Sequence, residues 1–342
     1  MVTAIPRRAR AAALPSRPMF RVLDVTAGRA ETSEDPDLVA PPPPGTLRWI
    51  DLCFSDESQL QLLRERFDFH PLAIEDCAHH DQRPKLEEYR DHLFLVTQGF
   101  SGHGTPLAEL ELHELHAFLG ERYLVTVHLG TISTINKVWR RITVDAATAE
   151  RGLDFVYYLI ADGIVDDNFP IIDQIADELE ELEDAVLSTP QRSDLARIFQ
   201  LKHHLVAMRK VLSPQRDVLG LLTKRGDGRI NERTALYLRD VYDHLVRINE
   251  SIESNRDLLG NALDAYLSAV GQRTNEIMKY LTIMSAVFLP LAFVVGFFGQ
   301  NFDSIFGIDD WTKSAALSWV MVGLCVALPT GMLVWFRTKH WL

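Results

Sequence analysis

The sequence predicts an α/β domain that feeds a very long helix into two apolar C-terminal spans. Three observations carry this. Between residues 46 and 128, short apolar runs bounded by turn residues follow strand spacing. From Asn231 a helical pattern runs to Phe298 without a convincing stop; that is about 68 residues, or roughly 100 Å if continuous. Two stretches, 280–298 and 314–336, hold no charged residue. At about 1.5 Å per residue the first, of roughly 19 residues, reaches about 28 Å, enough to cross a bilayer core, and the second is longer.

Taken in order, residues 1–45 are rich in Pro, Arg and Ala and close on Pro41-Pro42-Pro43-Pro44-Gly45, which reads as a disordered arm or linker with a short strand near 20–25. The 46–54 segment TLRWIDLCF reads as a strand. An amphipathic helix follows over 55–67, with Leu60, Leu63 and Phe67 turned inward. His70-Pro71 opens another helix, since Pro suits the first helical position. Segments 92–100, 111–120 and 122–128 read as strands of one sheet, with Gly120-Glu121 as a hairpin turn. Residues 132–143 return to helix. One long helix is expected from about residue 153 through the acidic run, with Pro170 as a bend; a second covers 193–224, and RGDGR at 225–229 is the turn before the long third. The expected domains are therefore the 1–45 arm, an α/β domain over 46–230, a stalk helix over 231–279, spans at 280–298 and 314–336, a connector at 299–313, and a basic tail at 337–342.

Of 342 residues, 47% are hydrophobic and the formal net charge is −12. No basic stripe exists to meet phosphates, so nucleic acid is not an expected partner. Cys53, Cys77 and Cys325 are scattered and odd in number, which supports neither a disulfide framework nor a thiolate zinc site. No nucleotide loop, nucleophile elbow or HExxH motif is present, so no enzyme is expected. Arg273 and Lys279 precede the first span, and Arg337, Lys339 and His340 follow the second. The connector carries Asp303, Asp309 and Asp310 against Lys313. The positive-inside rule then puts both termini in the cytoplasm and the connector outside. Trp311, Trp319, Trp335 and Trp341 fit interfacial anchors, and Pro329 is expected to kink the second span.

Within the first span and the helix before it, Asn275, Met278, Thr282, Ser285, Leu289, Ala292 and Gly296 recur at alternating steps of three and four, on one helical stripe. A small, polar or flexible stripe has two readings: a close-packed helix interface, or the wall of a water-filled pore. The span ends in Gly299-Gln300-Asn301. Carboxamide oxygens can accept hydrogen bonds from a metal's water shell without stripping it, which suits Mg²⁺, an ion that dehydrates reluctantly. A helix C-terminus ending on Gly and Asn is the plainer alternative.

The sequence NEIMKYLTIMSAVFLPLAFVVGFFGQNF, the second span, and the C-terminal FRTKHWL together resemble the CorA family of divalent cation channels. So do HPLAIEDC at 70–77, QRPKLEEY at 82–89, and the 238–268 segment. The resemblance runs from about residue 46 to the C-terminus. It implies an αβα sandwich, a long stalk helix, and a funnel-shaped homopentamer in the cytoplasmic membrane. It further implies gated passive conduction of divalent cations, Mg²⁺ first. One departure concerns the family's Gly-Met-Asn signature, whose middle position is Gln300 here. Zinc-transporting relatives of the ZntB type also vary there, so Zn²⁺, Co²⁺ or Ni²⁺ transport stays open, as does a membrane-anchored sensor without conduction.

The resemblance also assigns roles. Gly299, Gln300, Asn301 and Asp303 would form the ion-binding mouth. Asp264 and the stripe from Asn275 to Gly296 would line the path, with Met278 and Leu289 as apolar constrictions. Glu75, Asp76, Asp162 and Asp240, ungrouped by spacing, are expected to bind regulatory Mg²⁺ between subunits. The acids from Asp177 to Asp184 read as a solvated helix face. The histidine pairs His79-His80, His113 with His116, and His203-His204 read as structural or surface residues; His113 and His116 fall on opposite faces of a strand.

Overall fold

The computed structural model describes residues 20–54, 57–79, 82–102, 110–224, 228–298, 315–339 and 341. The chain divides into two compact units, one of Met1–Asp184 with Ser193–Ala262, the other of Ala185–Arg192 with Leu263–Leu342.

The first unit is built on a seven-stranded mixed sheet. Its strands are β1 (Phe20–Thr26), β2 (Arg29–Ser33), β3 (Leu47–Cys53), β4 (Lys85–Glu88), β5 (His92–Ser101), β6 (Glu111–Gly120) and β7 (Tyr123–His128), in the spatial order β2-β1-β3-β7-β6-β5-β4. Among the described strands only β3 and β7 pair in parallel; the other pairings there are antiparallel. Side-chain alternation divides the core. Ile50, Leu52, Phe94, Val96, Phe118, Val125 and Val127 face α1 (Glu57–Phe67) and α2 (Pro71–Ala78), through Leu60, Leu63, Phe67, Ala73 and Cys77. The opposite face meets α3 (Ser133–Val144) and α5 (Leu153–Asp166), with the short α4 (Ala147–Glu150) between them in sequence. There Trp49 packs on Trp139, and Thr97 Oγ1 lies 2.8 Å from the Tyr157 hydroxyl. Helices on both faces of one sheet make the expected αβα sandwich. Two glycines permit the close approach of α5: a Cβ on Gly99 would lie 2.5 Å from Ile164, and one on Gly163 would lie 2.5 Å from Thr134.

Three expectations change. The arm expected over 1–45 enters the sheet at residue 20; β1 runs to Thr26 and turns back as β2, so 20–45 is part of the domain. Arg48 anchors this segment, with bonds to both Asp24 carboxylate oxygens and to the carbonyls of Leu38 and Ala40. The single long helix expected from 153 is two, α5 and α6 (Phe169–Ser188). The break lies at Asn168, not Pro170. Buried Asn168 donates through Nδ2 to the Ile164 and Val165 carbonyls, and its Oδ1 accepts from the Phe100 amide of β5. It therefore competes with the backbone for the end of α5 and ties that end to the sheet. Pro170 then sits in the first turn of α6, where no amide hydrogen is needed. Pro329 lies inside α9 (Ala315–Thr338) without ending it.

Helices α6, α7 (Arg192–Leu222) and α8 (Glu232–Phe298) follow the expected long periodic segments. On α6, Ile175, Leu179, Leu182 and Val186 are buried while the acidic residues around them stay open to water, a solvated face as read. In the second unit, α8 and α9 both contain windows long and apolar enough to cross a membrane.

Candidate metal cluster and ion path

Two pairs of polar residues at helical spacing face each other in the first unit. Asp162 and Asp166 are one turn apart on α5; Asp240 and His244 are one turn apart on α8. His244 Nδ1 lies 3.0 Å from Asp166 Oδ1, and Nε2 lies 3.7 Å from Asp240 Oδ2. Ligand atoms of Asp162, Asp166 and His244 fall within 4.8 Å of one another, the one such group of three among the described residues. Burial pushes the Asp162 carboxyl up to about 6, and the charges of Asp166 and Asp240 push the same way against His244. The Tyr158 phenol is pushed up to about 12 by burial and then by the same acids. A shallow groove of about 290 Å³ runs along the cluster, lined by Asp162, Asp166, Asp167, Thr134, Lys137 and Arg141.

Three carboxylates around one imidazole repel one another, with Lys137 and Arg141 as the basic residues of the adjoining groove. A hard dication would relieve that repulsion, and the oxygen-rich donor set suits Mg²⁺. The imidazole nitrogen widens the range towards Co²⁺, Ni²⁺ and Zn²⁺.

Of the four acids expected to act together, the structure brings Asp162 and Asp240 into one neighbourhood. Glu75 and Asp76 do not join them. Both lie on α2, which covers the opposite face of the sheet from α5. Asp76 pairs with Lys85, which also meets Glu87 at 3.0 Å, while Glu75 is exposed. Asp166 and His244 went unread in the sequence, although Asp-x-x-x-Asp and Asp-x-x-x-His at i, i+4 are signals a helix reading can use. The histidine pairs singled out earlier do not form such a cluster. His113 binds Ser101 Oγ, His116 is buried against Phe94, and exposed His203 adjoins buried His204; His80 lies outside the described residues.

The residues expected to line a path, Asp264, Asn275, Met278, Thr282, Ser285, Leu289, Ala292 and Gly296, all lie on α8 and are exposed in the single chain. Most of their helical neighbours are exposed too, so burial within one chain does not single out the stripe. The Thr282 hydroxyl donates to the Met278 carbonyl at 2.7 Å and so turns back on its own helix. Pro290 inside α8 removes the amide that would bond the Ala286 carbonyl, leaving that oxygen without its helical donor. Gly299, Gln300, Asn301 and Asp303 lie outside the described residues.

A sandwich of this topology, a helix of 67 residues and two C-terminal helices long and apolar enough to cross a membrane fit the class of membrane proteins with a large water-facing domain. The CorA-like Mg²⁺ transporter family matches residues 44–338, and the chain belongs to that family. It is 33% identical over 299 residues to the cobalt/magnesium transport protein CorA of Thermotoga maritima, covering 87% of this chain and 84% of that one. The zinc transport protein ZntB of Yersinia enterocolitica is 22% identical, over 91% of this chain and 92% of its own. The CorA magnesium transporter structure from Methanocaldococcus jannaschii shares the fold with a TM-score of 0.81 at 22% identity, over 95% of this chain and 99% of that one.

Proposed function

We propose that this chain forms a homopentameric, channel-like path that passes divalent cations, Mg²⁺ first, across the cytoplasmic membrane with both termini inside. The observation that carries this is the family match over residues 44–338, which takes in the sandwich from β3 onward and both apolar helices. The carboxamides of Asn301 and Gln300 hold the hydrated ion at the outer mouth, beside Gly299, and Asp303 draws cations towards it. The stripe from Asn275 to Gly296, continued by Asp264, lines the path, and Met278 and Leu289 close it by excluding water.

Regulation falls to Asp162 and Asp240 of one subunit with Glu75 and Asp76 of the next. Two positive charges from bound Mg²⁺ would offset carboxylate repulsion at that boundary and favour the closed assembly. Asp166 and His244 belong beside them by geometry. Transport of a transition metal is the second reading, favoured by the imidazole of His244 in the cluster and by Gln300 in the signature.

The deciding experiment is uptake of Mg²⁺, Zn²⁺, Co²⁺ and Ni²⁺ into liposomes holding the purified protein. Asn301→Ala is expected to abolish flux or change the ion order while leaving the oligomer intact. No flux of any ion through the parent protein would favour a sensor without conduction, and unaltered flux and selectivity in Asn301→Ala would remove Asn301 from the ion path.

A further inference from the structure

A second cavity lies in the sandwich; α3 borders it through Ile135, Asn136 and Trp139, and borders the acid-cluster groove through Lys137 and Arg141. β3 and β7 are the one parallel pair among the described strands, and their carboxyl ends meet at Cys53 and His128. Leaving β3, the chain enters α1 on one face of the sheet; leaving β7, it enters α3 on the other. Strands whose following helices part to opposite faces open a crevice beyond their carboxyl ends, the place where α/β sheets bind small ligands. A cavity of about 560 Å³ occupies that crevice. This volume lies in the range of small-molecule sites, roughly 300–1,000 Å³.

The lining converges from five elements: Arg21 of β1, Thr32 and Ser33 of β2, Asp51 of β3, His128 of β7, and Asn136 and Trp139 of α3. Asp51 is buried and already saturated. Its Oδ1 accepts from Thr126 Oγ1 at 2.6 Å and lies 3.2 Å from His128 Nε2. Its Oδ2 accepts from Arg21 Nε at 2.9 Å and lies 2.8 Å from Nη2 in the same ion pair. It has little left to offer a cation.

The remaining capacity is donor capacity. Arg21 turns one edge to Asp51 and lays its face 4.2 Å from the Trp139 ring centroid, while its Nη1 makes no hydrogen bond among the described residues. The Asn136 carboxamide likewise makes none there. The first turn of α3 borders the cavity and has no side-chain cap, because Ile132 stands at the capping position. Glu34 is the exposed acid at the rim, and it disfavours polyanions.

We propose that this crevice binds a small organic or inorganic oxyanion, a carboxylate or a phosphate, held by the open edge of Arg21, by Asn136 and by the first turn of α3. Ile132, Ile135 and Trp139 form the apolar wall for any short carbon skeleton. Charge-assisted hydrogen bonds from a guanidinium supply the main attraction.

The test is calorimetric titration of the full-length protein in detergent with sodium succinate and, separately, with inorganic phosphate, at fixed ionic strength and with a chelator present. Saturable binding of at least one, with Kd below about 1 mM, is expected. Succinate alone would assign the site to carboxylates, phosphate alone to phosphoryl groups; both results support the site. Arg21→Gln should remove binding. Because that change also strips a partner from buried Asp51, Asn136→Leu is the second variant: it disturbs no hydrogen bond of the described fold and should weaken binding about tenfold, the equivalent of one good polar contact. Absence of saturation by both anions, or full affinity in Asn136→Leu, overturns the proposal.

Discussion

Replacing Asp162 by Asn tests the acid cluster most directly, because it removes repulsion and a metal ligand at once. The Asp162 carboxyl sits at about 6 against an ordinary 3.8. A rise of about two pK units corresponds to a ceiling near 3 kcal/mol of folded-state penalty for the ionised form. Asp162 is only half-buried, so solvent screening reduces that to about 1 kcal/mol. The sign follows from linkage. Below the ordinary value the carboxyl is protonated in both states and the penalty is absent. It grows as pH rises through the window up to about 6, and is full above it.

In chelator at pH 7.5, Asp162→Asn should therefore melt higher than the parent, by about 2 °C for a chain of this size. At pH 5 the gap should fall to about half. Added Mg²⁺ should raise the melting temperature of the parent more than that of the variant, since only the parent keeps the full ligand set. Intrinsic fluorescence on the detergent-solubilised protein, scanned at one rate throughout, reads all three. Equal melting temperatures at pH 7.5, or a gap that does not narrow on acidification, would refute the charge-repulsion account of this cluster.

Gln300→Met should shift the Mg²⁺ to Zn²⁺ uptake ratio in liposomes; identical ratios would place position 300 away from the ion. Asp240→Lys should leave flux intact but insensitive to internal Mg²⁺, with loss of Mg²⁺ protection against proteolysis; a variant that keeps both responses would sink the regulatory role. Asn168→Ala should destabilise the sandwich by about 2–3 kcal/mol, because three buried backbone groups lose a partner. Denaturant unfolding followed by circular dichroism measures this, and a loss under about 0.5 kcal/mol would mean that Asn168 does not end α5.

Where hydrophobic period and turn chemistry agreed, the sequence reading located the elements to within a residue or two. β5, β6 and β7 are short apolar runs bounded by turn residues, buried almost throughout β5 and β7, and α8 has no breaker strong enough to stop it. The reading failed where side chains bond to backbone at long range. Nothing in the spacing of Asn168 announces that it will reach the Phe100 amide. The short strand expected near 20–25 is β1, but composition pointed wrongly at residues 26–45: their prolines and charges look disordered, yet β2 pairs with β1 and Arg48 holds the Leu38 and Ala40 carbonyls. A polar segment with few apolar residues is ordered here by an edge-strand ladder and a buried guanidinium, neither of which leaves a periodic trace.

The candidate acid cluster was half legible for a related reason. Asp162 and Asp240 came from family resemblance, while their i+4 partners Asp166 and His244 came only from packing α5 against α8. Glu75 and Asp76 pose the opposite case. Resemblance groups them with Asp162 and Asp240, yet the sheet separates the pairs within one chain, and Asp76 is already matched to Lys85. An ion shared by all four would need a second copy of the chain, because a side chain cannot reach through a sandwich core of buried Phe94, Phe118 and Leu95. It would also compete with Lys85 for Asp76. Lys85 is therefore a counter-ion already in place for Asp76, shared with Glu87, while exposed Glu75 lies outside that pair. Control by Mg²⁺ at that boundary would then depend on exchanging one ion pair for another, not on exposing a bare carboxylate, and this lowers the free energy that separates the two states.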